Sequence, residues 1–202
     1  KPGDNVLANA FTLAPVPGAI ENVGANSILV EIDENFHINI ADFTAKANTS
    51  KSKFLLLSHM RGHITNMDKL VEICKSLKIQ IIEDCAHTMG AKWDGKRSGN
   101  FGLVSAFSTQ TYKHINSGEG GFLVTNDDEV IAKAIMHSGS YMLYEKHASS
   151  PNNDIFEKVK LKTANFSGRM DNLRSSILIP QLKDLDNKVI KWNNLYKELY
   201  DR

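Results

Sequence analysis

The chain has 202 residues, 42% of them hydrophobic and 23% charged, so it can bury a core and is neither a mini-protein nor a disordered tail. Its 24 Lys and Arg against 23 Asp and Glu leave a net charge of +1, which supplies no strong field for nucleic acid or an anionic membrane and points to a small or locally bound ligand. Cys74 and Cys85 are too few for a disulfide framework, no apolar run reaches the ~18 residues of a membrane span, and the start Lys1-Pro2-Gly3-Asp4 has no signal-peptide core, so a cytoplasmic protein is expected.

In chain order, Ile28-Leu29-Val30-Glu31-Ile32 reads as a short buried strand ended by Asp33, and Lys53-Phe54-Leu55-Leu56-Leu57 as another, with the Lys-rich stretch from Lys46 to Lys53 read as a solvated loop. Asn66 can cap a helix whose apolar residues Met67, Leu70, Val71, Ile73, Cys74 and Leu77 follow three-and-four spacing, and Ile79-Gln80-Ile81-Ile82 follows as a strand. That β–α–β unit predicts parallel pairing with helices on the sheet faces. Trp93-Asp94-Gly95-Lys96 reads as a hairpin turn. Leu103–Phe107 and Gly121–Thr125 are further strands, the second preceded by the turn Ser117-Gly118-Glu119-Gly120 and followed by a helix from Asp128 to Met136.

From Pro151 to about Lys162 the chain is polar and reads as an irregular loop. Beyond Met170, the residues Leu173, Ile177, Leu182, Leu185, Val189, Trp192, Tyr196 and Leu199 recur at helical spacing, with Pro180 expected to kink or divide the helix. The expected class is α/β, a mixed, mostly parallel sheet flanked by helices. A start at Lys1 and a stop at Arg202 inside a helical pattern are the marks expected of a fragment.

In an open α/β sheet, ligands sit outside the carboxyl ends of the strands, and two such ends are chemically loaded. One is Glu83-Asp84-Cys85-Ala86-His87, the other Phe107-Ser108-Thr109-Gln110-Thr111-Tyr112-Lys113. An Asp, a Lys and a Ser hydroxyl at neighbouring strand ends are what pyridoxal phosphate (PLP) needs. A lysine amine bonds the aldehyde, a carboxylate keeps the ring nitrogen protonated, and hydroxyl and backbone N–H groups hold the phosphate. His59 and His63 are four residues apart, but no helical pattern holds them and no further ligand is evident, so no metal site is expected.

The order of motifs resembles the DegT/DnrJ-type sugar aminotransferases, which are fold-type I PLP enzymes. The resemblance rests on Glu83-Asp84-Cys85-Ala86-His87 with Gly90-Ala91, on Gly99-Asn100-Phe101-Gly102, on Phe107-Ser108, Lys113 and Gly118-Glu119-Gly120-Gly121, and on Thr125-Asn126-Asp127. It extends back through Gly3-Asp4, Phe11-Thr12, His59-Met60-Arg61-Gly62 and Met67-Asp68, and forward through Arg169-Met170 and Gln181-Leu182, so it covers nearly the whole chain.

The resemblance implies that Lys113 bonds the cofactor and moves the proton, that Asp84 pairs with the pyridine nitrogen, that Ser108 holds the phosphate and that His87 lies beside the ring. It implies a homodimer with shared sites, in which Asn165, or else Ser167, reaches a neighbour's phosphate. Leu13 stands where the family usually has the aromatic that stacks on the ring, with Phe11 two residues earlier, so either the stacking is weaker or Phe11 supplies it. The family's upstream helix with its Gly/Thr phosphate loop and its C-terminal domain are missing, so residues 1–169 read as an incomplete PLP-binding core and 170–202 as a helix leading to an absent domain. The implied reaction moves an amino group from glutamate or glutamine to a nucleotide-linked keto sugar. The alternatives are a same-fold deoxysugar dehydratase, in which a His replaces the Lys, and an inactive binding or regulatory relative.

Overall fold

Short apolar runs cannot satisfy their own backbone groups, and here they do so by pairing side by side. The structure, a computed structural model, describes residues 1–139 and 143–202. Its elements are β1 (Asn5–Asn9), α1 (Pro15–Asn22), β2 (Asn26–Val30), α2 (Ile40–Ser50), β3 (Phe54–Ser58), α3 (Met67–Ser76), β4 (Gln80–Asp84), β5 (Lys92–Trp93), β6 (Lys96–Arg97), β7 (Val104–Ser108), β8 (Gly121–Thr125), α4 (Asp128–Ser138), α5 (Asn153–Val159), α6 (Asn172–Lys183) and α7 (Leu185–Tyr200). Among the described residues the main sheet runs β2-β1-β3-β4-β7-β8, with every pair parallel except β7–β8. The expected mixed, mostly parallel sheet is what forms.

The strand order reverses beside β1, which has β2 on one side and β3 on the other, so the crevice outside the carboxyl ends opens there. One face is covered by α2 and α3, whose Phe43, Ala47, Met67, Leu70 and Cys74 pack on Leu7, Val30, Leu55, Leu57 and Ile81. On the other face Ala8 packs with Ile20 of α1. Helix starts are capped as their sequences ask: Asn39 Oδ1 accepts from Asp42 N (3.0 Å), Asn66 Oδ1 from Lys69 N (3.0 Å) and Asp127 Oδ1 from Val130 N (2.8 Å). Each such cap is worth about 1 kcal/mol.

Several expectations shift. The strand predicted at Ile28–Ile32 lies at Asn26–Val30, because β1 ends at Asn9 opposite Val30 and offers no partner beyond it. Glu31 N instead donates to Asp42 Oδ2 at 2.7 Å. The Lys46–Lys53 stretch is not simply a loop: Lys46 to Ser50 belong to α2, where Ala47 is buried and Lys46 pairs with Asp42 at 2.8 Å. Residues 151–162, expected to be irregular, contain α5, whose Phe156 and Val159 are buried against Ala132 and Ile135 of α4. Polar composition hid a one-sided apolar stripe. The terminal helix is divided, as Pro180 led one to expect, but at Asp184 (φ −97°, ψ 5°), four residues past the proline, which stays inside α6. The Asp94–Gly95 hairpin is as read, both residues having positive φ (43° and 77°), as the two-residue turn requires. Among the described residues no helix is long and apolar enough to cross a membrane.

Candidate active site

Four polar residues close four neighbouring strands on the same edge: Asn9 on β1, Ser58 on β3, Asp84 on β4 and Ser108 on β7. Ser58 and Asp84 stand opposite each other in the parallel register. Ser58 Oγ donates to Asp84 Oδ2 at 2.7 Å, and Ala86 N donates to Oδ1 at 3.1 Å, so both carboxylate oxygens are aimed. Ser58 is itself fixed by the buried Asn9: Ser58 N donates to Asn9 Oδ1 (2.8 Å), and Asn9 Nδ2 donates to Ser58 O (3.0 Å) and Phe11 O (3.1 Å). Asn9 and Ser58 were not singled out in the sequence. A polar residue ending a strand is too common to notice until the register shows that they meet Asp84.

Lys113 lies in the loop between β7 and β8, which is laced shut by Thr109 N to Gly120 O (2.9 Å), Thr111 N to Gly118 O (2.8 Å) and Ser117 N to Thr109 O (3.0 Å). Ile115, two residues on, is fully buried against Leu178 and Leu185. Gln181 of α6 clamps the same loop, accepting from Asn116 N (3.1 Å) and donating to Asn116 O (2.7 Å). The loop therefore holds the half-buried Lys113 with little freedom. Its Nζ stands 2.9 Å from His87 Nε2. Burial, and then the positive charge of Lys113, push the His87 pKa below the ordinary histidine value, favouring the neutral imidazole. Ser108 Oγ accepts from Gln110 N at 3.3 Å, and among the described residues its own O–H has no hydrogen-bond acceptor.

The other two candidates have partners of their own. Phe11, just beyond β1, packs its ring on Phe36 (5.1 Å between centroids) and edge-on to His63 (6.3 Å), while Leu13 is 47% exposed. Asn165 belongs to a loop on the carboxyl end of α4, where its Oδ1 accepts from Ser167 N at 2.8 Å and Phe166 N donates to His137 O. Among the described residues it makes no hydrogen bond to Lys113, Ser108 or Asp84.

Beneath the site, the fully buried Glu83 accepts from four donors: Gly99 N (2.9 Å), Phe101 N (2.7 Å), Gly102 N (2.8 Å) and His59 Nε2 (3.2 Å). Gly102 is needed there, since a Cβ would lie 2.4 Å from Ile81 O. His59, Glu83 and Cys85 bring a set of metal-ligand atoms within 4.8 Å of one another, a grouping that the His59/His63 spacing did not reveal. The carboxylate's acceptor positions are already taken by protein N–H groups, and burial pushes the Cys85 thiol up to about 12, keeping it protonated. The cluster is a hydrogen-bonded node. Cys74, also buried, is likewise pushed up to about 12.

The fold and these side chains define an open α/β protein with a polar site at the carboxyl edge of its sheet, built on an anchored carboxylate and a lysine–imidazole pair. The chain belongs to the DegT/DnrJ/EryC1/StrS aminotransferase family, whose sequence profile matches residues 1–202. It is 32% identical over 186 residues to the GDP-perosamine synthase of Escherichia coli O157:H7, covering 92% of this chain and 48% of that protein. It is 30% identical over 198 residues to the GDP-perosamine synthase of Caulobacter vibrioides, covering 95% and 50%. Among solved structures it resembles the GDP-4-keto-6-deoxy-D-mannose-3-dehydratase of E. coli with bound hydrated PLP, with a TM-score of 0.75, 27% identity and coverage of 92% of this chain and 49% of that one. The chain thus spans about half the length of the curated relatives it matches.

Proposed function

We propose that the protein containing this chain is a PLP-dependent aminotransferase that moves an amino group from glutamate or glutamine to a nucleotide-linked keto sugar in the cytoplasm. The observation that carries this reading is the pairing of a loop lysine with an anchored Asp at adjoining strand ends. The site's own atoms fit the cofactor. Asp84 has one protein donor on each oxygen and so retains acceptor capacity. Lys113 Nζ has His87 as its one hydrogen-bond partner among the described residues. Ser108 has an O–H to give.

When bound, PLP acts as an electron sink for the carbanion formed at the amino-donor α-carbon. Asp84 would hold the proton of the ring nitrogen, Ser108 would donate to the phosphate, and Lys113 Nζ would take the proton from the α-carbon and return it to carbon. Phe11 would flank the ring. Asn165 would serve a second copy of the chain, reaching its phosphate as an uncharged amide donor across a two-fold dimer. Residues 1–169 would form the cofactor-binding core and 170–202 the passage to a further domain. The sugar acceptor is supported by the names of the two synthases, and a nucleotide-linked sugar is the acceptor class they share.

A dehydratase on the same fold is the second reading, favoured by the likeness to the E. coli dehydratase. Lys113 favours the transferase, because an amine at that position can return the cofactor to its starting state after each turnover.

Borohydride treatment of the full-length protein with PLP, followed by peptide mapping, tests the reading. The pyridoxyl adduct is expected on Lys113, the only lysine between Lys96 and Lys133. An adduct confined to another lysine sinks the assignment. Ser58→Ala removes the charge-assisted bond that aims Asp84 and is expected to weaken PLP binding about tenfold without unfolding the protein. Fluorescence titration reads the loss, and Ser58→Thr, which keeps the hydroxyl, should recover most of it.

A further inference from the structure

Three neighbouring parallel strands send rings out from their carboxyl ends at the place where the strand order reverses, which is where an open α/β sheet has its ligand crevice. Phe11 follows β1, Phe36 and His37 lie in the loop after β2, and His63 ends the turn after β3. The Phe36 ring centroid is 5.1 Å from that of Phe11 and 5.5 Å from that of His63, while His63 is 6.3 Å from Phe11 and 6.1 Å from His37. These are favourable ring contacts, yet the cluster is not core. Phe36 is 49% exposed, and His63 is exposed as well.

Phe36 is also held in a costly conformation. Its φ is 64°, in the left-handed region that a bulky side chain rarely occupies, and such strain persists only where the surroundings impose it. Asp33 imposes it here. Its Oδ1 accepts from Asn35 N and from His37 N, both at 2.9 Å, its carbonyl accepts from Phe36 N at 3.1 Å, and its own N donates to His37 O at 2.8 Å. Ile32 and Ile38 pair across the base of the loop. Burial of the ring is not what this wiring gains, since Phe36 stays half open to solvent.

The cluster hangs from the same segments as the site. Phe11 O accepts from Asn9 Nδ2 (3.1 Å), the amide that fixes Ser58 and through it Asp84. Arg61, two residues before His63, donates from its N to His87 Nδ1 at 3.2 Å. Its exposed guanidinium adds a positive charge that reaches His87, and the anionic linker between the base and the sugar of a nucleotide-linked substrate complements that charge. We infer that Phe36, with Phe11 and His63 beside it, is a stacking platform for the nucleobase of the nucleotide-linked acceptor. Every base has a π-face, so the platform selects a class of ligand, a nucleoside diphosphate, and not one base. The inference rests on the nucleotide-sugar reading of the function and adds to it the residues that take the base.

Calorimetric titration of the full-length protein, in the presence of saturating PLP, with GDP and separately with UDP tests the platform. At least one of the two is expected to bind, and Phe36→Gly is expected to weaken that binding about tenfold, the order of loss that follows removal of a stacking ring. Glycine adopts positive φ freely, so the loop built on Asp33 should persist and the thermal unfolding midpoint should stay within a few degrees of the parent. Phe36→Tyr keeps the ring and should bind within about threefold of the parent. The PLP affinity of Phe36→Gly, read by fluorescence, should be unchanged. Binding of neither nucleotide, or equal binding by the parent and Phe36→Gly, overturns the inference. A loss of PLP affinity as large as the loss of nucleotide affinity overturns it too, by making Phe36 a prop for Phe11. Failure of the cofactor reading would appear in the borohydride map with nucleotide binding intact.

Discussion

Asp84→Ala is expected to lower kcat for amino transfer by on the order of a hundredfold or more, because it removes the charge that keeps the cofactor ring an electron sink. The fold should survive. Asp84 is half-buried at a strand end, among the described residues its oxygens receive only Ser58 Oγ and Ala86 N, and Ile81 of β4, which packs in the core, is left alone by the substitution. The urea midpoint should move little while turnover collapses. Asp84→Asn separates charge from shape: the amide oxygen can still accept from Ser58, but a neutral amide no longer pairs with a protonated ring nitrogen, so Asn should be nearly as impaired as Ala. Near-normal turnover in either variant would reduce Asp84 to a residue that organises the turn at Ala86.

The strands and the helix of the β3–α3–β4 unit were legible because each carries a local signal. Leu55, Leu57 and Ile81 form apolar runs too short for helices, and Asn66 precedes a three-and-four stripe with a side chain that does cap it. The parallel pairing followed from the crossover length. Elements lacking a local signal went unseen. β1 is only five residues long and ends in Asn9, and α1 begins Pro15-Val16-Pro17-Gly18, which reads as a turn although Pro15 suits the first position of a helix. Helix α2 did carry a signal, Asn39 followed by Ile40, Phe43 and Ala47, but its last turn is rich in Lys, Asn, Thr and Ser, and that composition dominated the reading.

At the site, Asp84, His87, Ser108 and Lys113 could be named because chemistry-bearing residue types followed strands directly. What surrounds them could not, because Asn9 meets Ser58 across 49 residues and Gln181 meets Asn116 across 65. Contacts at such separations exist only once the sheet order is known.

The same limit applies to Glu83, which the sequence showed only as the partner of Asp84 in a motif and which the structure makes a principal brace. Glu83→Ala is expected to destabilise the protein by about 3–5 kcal/mol, the usual result of removing one member of a buried, fully hydrogen-bonded charged set. It strands three backbone N–H groups at Gly99, Phe101 and Gly102 together with His59, all behind the strand that carries Asp84. Glu83→Gln fills the same space but offers one acceptor oxygen in place of two, so it should recover only part of the loss. Burial alone would raise the Glu83 pKa, but His59 and the three backbone donors outweigh it and hold the carboxyl below its ordinary range. A carboxyl with a lowered folded-state pKa contributes stability that is complete above its unfolded value, about 4.3, and is lost as pH falls through the folded-state value below it. Urea unfolding between neutral pH and about pH 3 should therefore show the parent protein losing stability more steeply on acidification than Glu83→Gln, which has no carboxyl there to protonate. Parallel acid profiles for the two proteins, or an Ala variant within 1 kcal/mol of the parent, where surface substitutions fall, would show that the loop from Gly99 to Gly102 is held by something other than this carboxylate.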